Sequence, residues 1–442
     1  MRVDYIIAEI GSTTTLCTAF DFSQVEPKIL AQGKSYTTVI EGDVTVGLKN
    51  AIIDIEEQIG ESLTWGKMLA TSSAAGGLRM TVHGLVHDMT VKASKEAALG
   101  AGAIIKMVTS GKMRASDIKE IKRINPNLIM IAGGTDYGER DTALYNAQLI
   151  AKENLNIPLI YCGNKANVPE IIEIFEGQEI YIVPNVYPRI DELNVEPARK
   201  IIQEAFEKNI VKAEGMDKIR NMVDGSIMPT PGAVMESTEM LYELIGDVVV
   251  VDVGGATTDI HSVTEGSCEI MNILVNPEPK AKRTVEGDLG VYINSNSIIE
   301  LLNIKDLQKL DLETIKSNIK AIPENDIEKE CSSILCKKAC EVALARHCGY
   351  IKRIFVGENN YVAYGKDLSK VRYIVGTGGA LTRLPKGRET LKNLRYEGRE
   401  LTMMPRSESN ILLDTKYIMA CAGVLSKENK EYALRLLEYS IK

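Results

Sequence analysis

Two short segments of the chain combine residue types that bind phosphate. In the first, the apolar run Tyr5-Ile6-Ile7-Ala8 leads into Glu9, Gly11, Ser12, Thr13, Thr14 and Thr15. In the second, the valines Val248 to Val251 lead into Asp252, Gly254, Gly255, Ala256, Thr257, Thr258 and Asp259. Glycine lets a backbone approach an anion, N–H groups and hydroxyls donate to it, and an acid at a strand end can hold magnesium through water. The first segment taken alone is equally a tight hairpin. The second is more specific, because a strand apolar on both faces, an acid, a double glycine and paired threonines are contiguous. Two such turns in one chain predict two half-sites closing on one polyphosphate. A third turn, Val375-Gly376-Thr377-Gly378-Gly379-Ala380, follows a strand and carries no acid, which suits adenine or ribose lying against exposed backbone. No GxxxxGK[ST] segment occurs, which excludes a P-loop. The GTGG turn also lacks the three glycines of a dinucleotide site.

Strand and helix patterns alternate almost throughout, which predicts an α/β protein with largely parallel sheets. Residues 5–9, 16–20 and 29–34 read as a meander, followed by a helix over 44–59 with apolar residues at Val44, Leu48, Ile52, Ile55 and Ile59. A strand at 67–70 ends in the small residues 72–77. Further βα units are expected at 128–132, running into Gly133-Gly134-Thr135-Asp136, and at 159–161, running into Gly163-Asn164-Lys165, with a strand at 179–183. The stretch 193–218 reads as a polar helical region. A helix begins after Pro229 and Pro231 and delivers the chain into the second phosphate turn. Residues 273–290 read as loop, 293–348 as a run of helices, 353–356 and 373–375 as strands, and 414–425 and 430–439 as helices.

At 442 residues the chain is long enough for two or more domains. Its net charge of −8 and pI near 5.4 argue against a broad nucleic-acid or anionic-membrane surface. No apolar run approaches the roughly 20 residues of a spanning helix. The N-terminus, MRVDYIIAEIGS, goes straight into a strand, so a cytoplasmic protein without a signal peptide is expected. Eight cysteines in a chain of this length are not a disulfide framework. Cys331, Cys336, Cys340 and Cys348 cluster on a predicted helix, but their spacing does not bring them to one face, and they read as core. The histidines His83, His87, His261 and His347 are spaced for no metal site.

The order of the pieces carries a family resemblance. A first phosphate turn, a Pro-Ala helix leading into DVGGATTD, and a late GTGG turn resemble the superfamily of actin, Hsp70 and sugar kinases. That resemblance implies two ribonuclease-H-like domains with Mg-ATP in the cleft between them. Nearly the whole chain is similar to one branch, through EGDVTVGLKNA (Glu41–Ala51), SSAAGGLRM (Ser72–Met80), IAGGTDYG (Ile131–Gly138), NVYPRIDELNVEPAR (Asn185–Arg199), MPTPGAVMESTEML (Met228–Leu241), RTVEGDLG (Arg283–Gly290) and LLDTKYIMACAGVL (Leu412–Leu425). This looks like the glutamate (methylaspartate) mutase accessory protein family, which shares a nickname with a DNA-repair ATPase but not its motifs.

The resemblance implies an ATP-dependent, chaperone-like factor for an adenosylcobalamin-dependent mutase or aminomutase, with a small second subunit as a further partner it allows. Such enzymes lose the adenosyl radical and retain a dead cobalamin, which the factor would release. The implied domains are 1–228, with the first phosphate turn and extra βα units; 229–410, with the second phosphate turn and the adenosine turn; and 411–442, helices packing back toward the first domain. Ser12, Thr13 and Thr14 would donate to the β- and γ-phosphates from one wall, with Gly11 in the turn. Thr257 and Thr258 would donate from the other wall, with Gly254, Gly255 and Ala256. Glu9 and Asp252 would hold hydrated magnesium, with Asp259 as a third acid, and Gly376, Thr377, Gly378 and Gly379 would line the adenosine. Asp136 would position the attacking water, although a helix N-cap is its plainer role. Arg79, Arg283, Glu286 and Asp288 lie in polar segments that match the family, where coupling to a partner and surface ion pairing are equal readings.

One departure stands out. Family members begin with Asp-Ile-Gly-Ser-Thr-Thr, and this chain has Glu9. The added methylene moves the carboxylate by about 1 Å, which water-mediated metal contact tolerates better than water activation does. A slow ATPase is therefore expected. A small-molecule kinase on the same fold and an actin-like assembly protein are the alternatives. An activator of radical dehydratases would need close-spaced cysteines for its cluster.

Overall fold

The computed structural model describes residues 1–11, 13–24, 26–38, 43–73, 78–210, 217–225, 227–354, 361–396, 398 and 401–442. The strands, in chain order, are β1 (Arg2–Ile10), β2 (Thr14–Asp21), β3 (Lys28–Tyr36), β4 (Thr64–Ser72), β5 (Arg79–Gly84), β6 (Ile104–Ser110), β7 (Leu128–Ile131), β8 (Leu159–Tyr161), β9 (Ile180–Ile182), β10 (Ile227–Pro229), β11 (Val248–Val253), β12 (Thr258–Val263), β13 (Ala281–Glu286), β14 (Tyr350–Arg353), β15 (Tyr361–Tyr364), β16 (Tyr373–Thr377) and β17 (Asn410–Leu413).

Two five-stranded sheets have the orders β10-β4-β1-β2-β3 and β13-β12-β11-β16-β17. In the first, β1 is antiparallel to β2 and parallel to β4. In the second, β11 is antiparallel to β12 and parallel to β16. One topology is thus written twice, and it is the ribonuclease-H-like arrangement. The chain has the two-domain α/β fold of the actin, Hsp70 and sugar-kinase type. A third sheet, all parallel, has the order β6-β5-β7-β8-β9 and is formed within the first half of the chain. It houses the βα units expected around 128–183.

The central strands lose both faces to cores, which explains their unbroken apolar runs. Ile6, Ala8 and Ile10 face a core shared with Leu48, Ile52 and Ile55 of the helix Val44–Ile59. Asp43 caps that helix by accepting from Thr45 N, and Gly60 ends it at φ 81°. Ile7 faces the other way, into a core with Val248 and Val250. Val249, Val251 and Val253 face a third core, against Leu335, Ala339 and Ala343 of the helix Asp326–His347.

The core between the two sheets is filled by the helices Thr230–Ile245, Met419–Leu425 and Lys430–Ser440. Gly423 approaches Ala233 so closely that a Cβ would lie 1.9 Å from the Ala233 carbonyl oxygen. Gly423→Ala is therefore expected to lower stability by about 1–3 kcal/mol through overpacking. Urea unfolding measures this, and an unshifted midpoint would show that these helices part at no cost.

Several elements differ from the sequence reading. The stretch 273–290 contains β13, which was concealed because Lys282 and Arg283 are charges turned inward. The expected strand at 353–356 falls earlier, at β14, and 355–360 lie outside the described residues. The helix expected from Asp414 begins only at Met419, after β17. Tyr417 takes a left-handed φ of 53° there, and Asp414 accepts from the N–H groups of Ile418 and Met419. The helix run over 293–348 is three shorter α-helices, Ser295–Glu300, Leu312–Ser317 and Asp326–His347. No helix among the described residues is long and apolar enough to cross a membrane.

Candidate functional site

The two phosphate-type turns share a local geometry. Gly11 N donates to Thr14 O at 2.9 Å, and Gly254 N donates to Thr257 O at 2.9 Å, each closing a tight connection between antiparallel strands. The turns face one another: a Cβ built on Gly255 would lie 3.5 Å from Thr13 Oγ1. Ser12 lies outside the described residues. The carbonyls of Gly254, Gly255 and Ala256 are held by one loop. Val291 N donates to Gly254 O, Tyr292 N and Ile293 N donate to Gly255 O, and Asn294 Nδ2 donates to Ala256 O. In a trans peptide the N–H points opposite to the preceding C=O. The N–H groups of Gly255, Ala256 and Thr257 are therefore turned away from that loop, which is how a backbone presents itself to an anion.

The acids at the two strand ends form one electrostatic group. Burial, followed by the charges of Asp259 and Glu9, pushes the Asp252 carboxyl well above the usual carboxylate range, with Arg283 opposing. Burial pushes Glu9 up to about 7, against the lowering effect of its bond from Tyr417, and Asp414 adds to the rise. Tyr417 Oη donates to Glu9 Oε1 at 3.0 Å. Burial and the nearby charges of Glu9 and Asp252 hold the phenol well above its ordinary value, so it keeps its proton. Carboxylates crowded in this way are stabilised by a cation. Among the described residues no three His, Cys, Asp or Glu side chains converge to ligate an ion directly. As carboxylates crowded at two strand ends, Glu9 and Asp252 would fit a magnesium ion held through water, with a nucleotide supplying part of the shell.

Other expected site residues serve different purposes. Asp259, read as a third metal acid, accepts from Arg283 Nη2 at 2.6 Å, from Arg283 Nε at 3.0 Å, and from Thr257 Oγ1 at 3.0 Å. Thr258 lies in β12 and is fully buried, with its hydroxyl donating to Leu289 O at 2.6 Å, so it cannot be a phosphate donor in this arrangement. Thr257 precedes β12 and its hydroxyl is engaged by Asp259, so what it turns outward from this turn is its backbone N–H. Thr14 opens β2.

In the third turn, Gly376 is packed among Leu381, Leu391 and Leu413, and Thr377 spends its hydroxyl on Asp414 Oδ2 at 3.0 Å. Both are engaged inside the protein rather than presented at the turn. Gly378 has φ 84°, and a Cβ there would lie 2.7 Å from Asp252 Oδ1, so this turn lies against the Asp252 carboxylate. A Cβ on Gly379 would meet open space.

Asp136 belongs to the inserted sheet and takes no part in the acid group. Its carboxylate accepts from Lys165 N and from Asn185 Nδ2, each at 3.0 Å, so it neither faces the cleft acids nor caps the following helix Asp141–Ala151. Glu286 and Asp288 both pair with Arg346, as the surface reading of those acids has it. Arg283 is buried in β13 rather than in a loop, and Arg79 opens β5. Cys331, Cys336 and Cys340 are buried along the helix 326–347, and His83 is buried between Thr81 and Thr109.

Asp414 and Tyr417 carry no local pattern in the sequence that marks them as site residues. Besides Thr377 Oγ1, the Asp414 carboxylate accepts from Ile418 N at 2.8 Å, Met419 N at 2.9 Å and the Ser440 hydroxyl. It ties the end of β16 to the C-terminal helices and so fixes where Tyr417 stands. Asp414→Ala would strand four buried donors and is expected to cost about 3–5 kcal/mol. Denaturant unfolding of the variant checks this, and a loss below 1 kcal/mol would make the clamp dispensable.

Residues 5–441 match the protein family described as "MutL protein". "Protein MutL" of Clostridium tetanomorphum is 37% identical over 456 aligned positions, covering 98% of each chain. Among solved structures, nucleotide-free acetone carboxylase aligns with 96% of this chain and 70% of its own at 12% identity and a TM-score of 0.39. A glycerol dehydratase reactivase aligns with 96% of this chain and 100% of its own at 11% identity and a TM-score of 0.33. At such scores the fold assignment rests on the strand order rather than on either likeness.

Proposed function

The chain belongs to the MutL protein family, and on that footing we propose that it is an ATP-driven accessory factor that restores an adenosylcobalamin-dependent mutase or aminomutase. The nucleotide lies between the turn at Gly11–Thr14 and the turn at Gly254–Thr257, with Gly378 and Gly379 against the nucleoside. The observation that carries the nucleotide reading is the 3.5 Å approach of a Gly255 Cβ position to Thr13 Oγ1 above the paired acids Glu9 and Asp252. The partner reading is supported by the sequence resemblance to the glutamate (methylaspartate) mutase accessory branch. Glutamate mutase and ornithine or lysine aminomutase are the client classes it suggests. The division into 1–228, 229–410 and 411–442 belongs to the same reading.

Thr13 and the N–H groups of Gly255, Ala256 and Thr257 bind the phosphates from opposite walls. Magnesium, when bound, neutralises phosphate charge, and Glu9 and Asp252 hold it through water. With Asp136 engaged in the inserted sheet, Glu9 is the acid left to orient the attacking water. Its protonated neighbour Tyr417 fixes the carboxylate's position. A γ-phosphate gripped from both sheets favours the closed cleft, and hydrolysis removes that preference. The energy difference between the two states is what acts on the partner, opening it so that damaged cobalamin leaves.

A mutase inactivated with cyanocobalamin should recover activity when this protein, ATP, magnesium and adenosylcobalamin are added together, and not when ATP is replaced by ADP. No recovery of any glutamate mutase or aminomutase client would overturn the partner reading. Steady ATP turnover without a small-molecule acceptor separates it from a kinase.

A further inference from the structure

Besides the apolar core that Ile7 shares with Val248 and Val250, the second sheet meets the first half of the chain at the end of one short helix, where charged groups take part in the contact. The helix Lys92–Gly100 joins β5 to β6. Its Ala93, Ala97 and Ala98 lie in the core that also holds Ile6 and Ala8 of β1 and Met80, Val82, Leu128 and Met130 of the inserted sheet. Its other side meets β13. Arg283, 1% exposed, reaches both ways from that strand. Its Nε and Nη2 hold Asp259, at the foot of the second phosphate turn, and its Nη1 donates to Leu99 O at 2.8 Å. The carbonyl end of a helix carries partial negative charge, so the guanidinium is well placed there.

A second arginine packs against the same helix end. Arg199, 4% exposed, donates to Ala281 O of β13 at 3.1 Å and to Glu239 at 2.7 Å. It lies so close to Gly100 that a Cβ there would be 2.5 Å from its Nε. Further along, Lys282 stands between Glu278 at 2.7 Å and Glu96 at 3.6 Å, and Glu278 also pairs with Lys92. The joint is ionic as well as packed. Buried ion pairs depend on exact partnership, and removing or diverting one member leaves the other uncompensated.

We propose that Arg283 is a positioning residue that reports the magnesium-nucleotide state of the cleft, through Asp259, to the helix 92–100 and so to the inserted sheet. The proposal rests on the nucleotide reading above and adds the route by which the cleft controls a distant element. Magnesium-nucleotide bound beside Asp252 acts on the Asp259 carboxylate through charge, as Asp252 and Asp259 already act on one another, without making Asp259 a metal acid. Arg283 then shares its strongest partner, its donation to Leu99 O weakens, and the C-terminal turn of the helix loosens.

The test is amide hydrogen exchange on the full chain with and without saturating magnesium and a non-hydrolysable ATP analogue, with occupancy verified by calorimetry. In the wild type, the amides of 97–103 should exchange at least about threefold faster in the nucleotide complex. In Arg283→Lys, which keeps the charge but cannot span Asp259 and Leu99 O together, the ratio should fall below about 1.5-fold at full occupancy, whatever the change in affinity. A purely structural arginine would raise exchange in both states and leave the ratio unchanged. Unchanged or slower exchange in the fully occupied wild type overturns the proposal without help from any variant. A wild-type-sized response in Arg283→Lys overturns it as well. If calorimetry shows no nucleotide bound to the wild type, the nucleotide reading itself fails, and this relay fails with it.

Discussion

Asp252→Asn is expected to reduce ATP turnover by at least about 100-fold while raising the thermal stability of the nucleotide-free protein. The two effects have one cause. Asp252 sits at the end of a strand whose Val248 to Val251 are fully buried, beside Asp259 and Glu9, and its charge is disfavoured by burial and by both neighbours. Removing the charge relieves the empty site. On the proposed function the same charge would stabilise hydrated magnesium when nucleotide is present, and its loss would raise the barrier by about 2.7 kcal/mol for each 100-fold. Steady-state phosphate release and differential scanning calorimetry read the two halves independently. A variant retaining a tenth of wild-type turnover would place the cation-holding carboxylate elsewhere. A fall in melting temperature without ligand would show that Asp252 is structurally stabilising.

The parts of the fold that were legible in the sequence are those whose signal is contiguous. The helix over 44–59 is legible from its apolar spacing, and β1 and β11 from unbroken apolar runs. The acid-glycine-hydroxyl turns could be read because strand end, turn and donors lie within about one turn's length. Face assignment within them could not be read. Thr257 and Thr258 look equivalent in a string of letters, yet strand register sends Thr258 into the core beneath Leu289. Gly376 and Thr377 meet the same limit, since they still belong to β16 and only Gly378 leaves it.

Long-range partnership was illegible in a different way. Tyr417 reaches Glu9 across 408 positions of sequence, and no local pattern marks either as the other's partner. β13 defeated the alternation rule because its inward residues, Lys282 and Arg283, are charges whose counter-ions come from Glu96, Glu278 and Asp259 on other elements. Asp136 erred in the opposite direction. A strand followed by Gly-Gly-Thr-Asp imitates a phosphate turn, but here it caps a parallel-sheet crevice in which Asn185 and Lys165 consume the carboxylate. The lesson is physical: a motif fixes which groups are near one another along the chain, while only packing decides which of them remain free for a ligand.

Glu9→Gln should make the nucleotide-free protein more stable than the wild type at pH 8 and nearly equal to it near pH 4.5. Glu9 is held at about 7 in the folded protein against an ordinary value of 4.5. A carboxyl whose folded pKa is raised contributes stability that is fully present below the unfolded pKa, because the folded state then keeps a proton the unfolded chain is only beginning to release. That contribution is lost as pH climbs through the folded value. The window is therefore from about 4.5 to 7, and the full shift would be worth about 3 kcal/mol, roughly halved by the solvent the cleft admits. Glutamine is the right probe because its carbonyl still accepts from Tyr417, so the only thing removed is the titration. The difference in melting temperature between variant and wild type should grow with pH and level off above about pH 7.5. Saturating magnesium-ATP should reverse its sign, since the wild-type charge then has its cation. A difference independent of pH would mean that Glu9 does not titrate in this range. A variant less stable than the wild type at pH 8 without nucleotide would mean that its carboxylate already has a partner strong enough to hold it ionised.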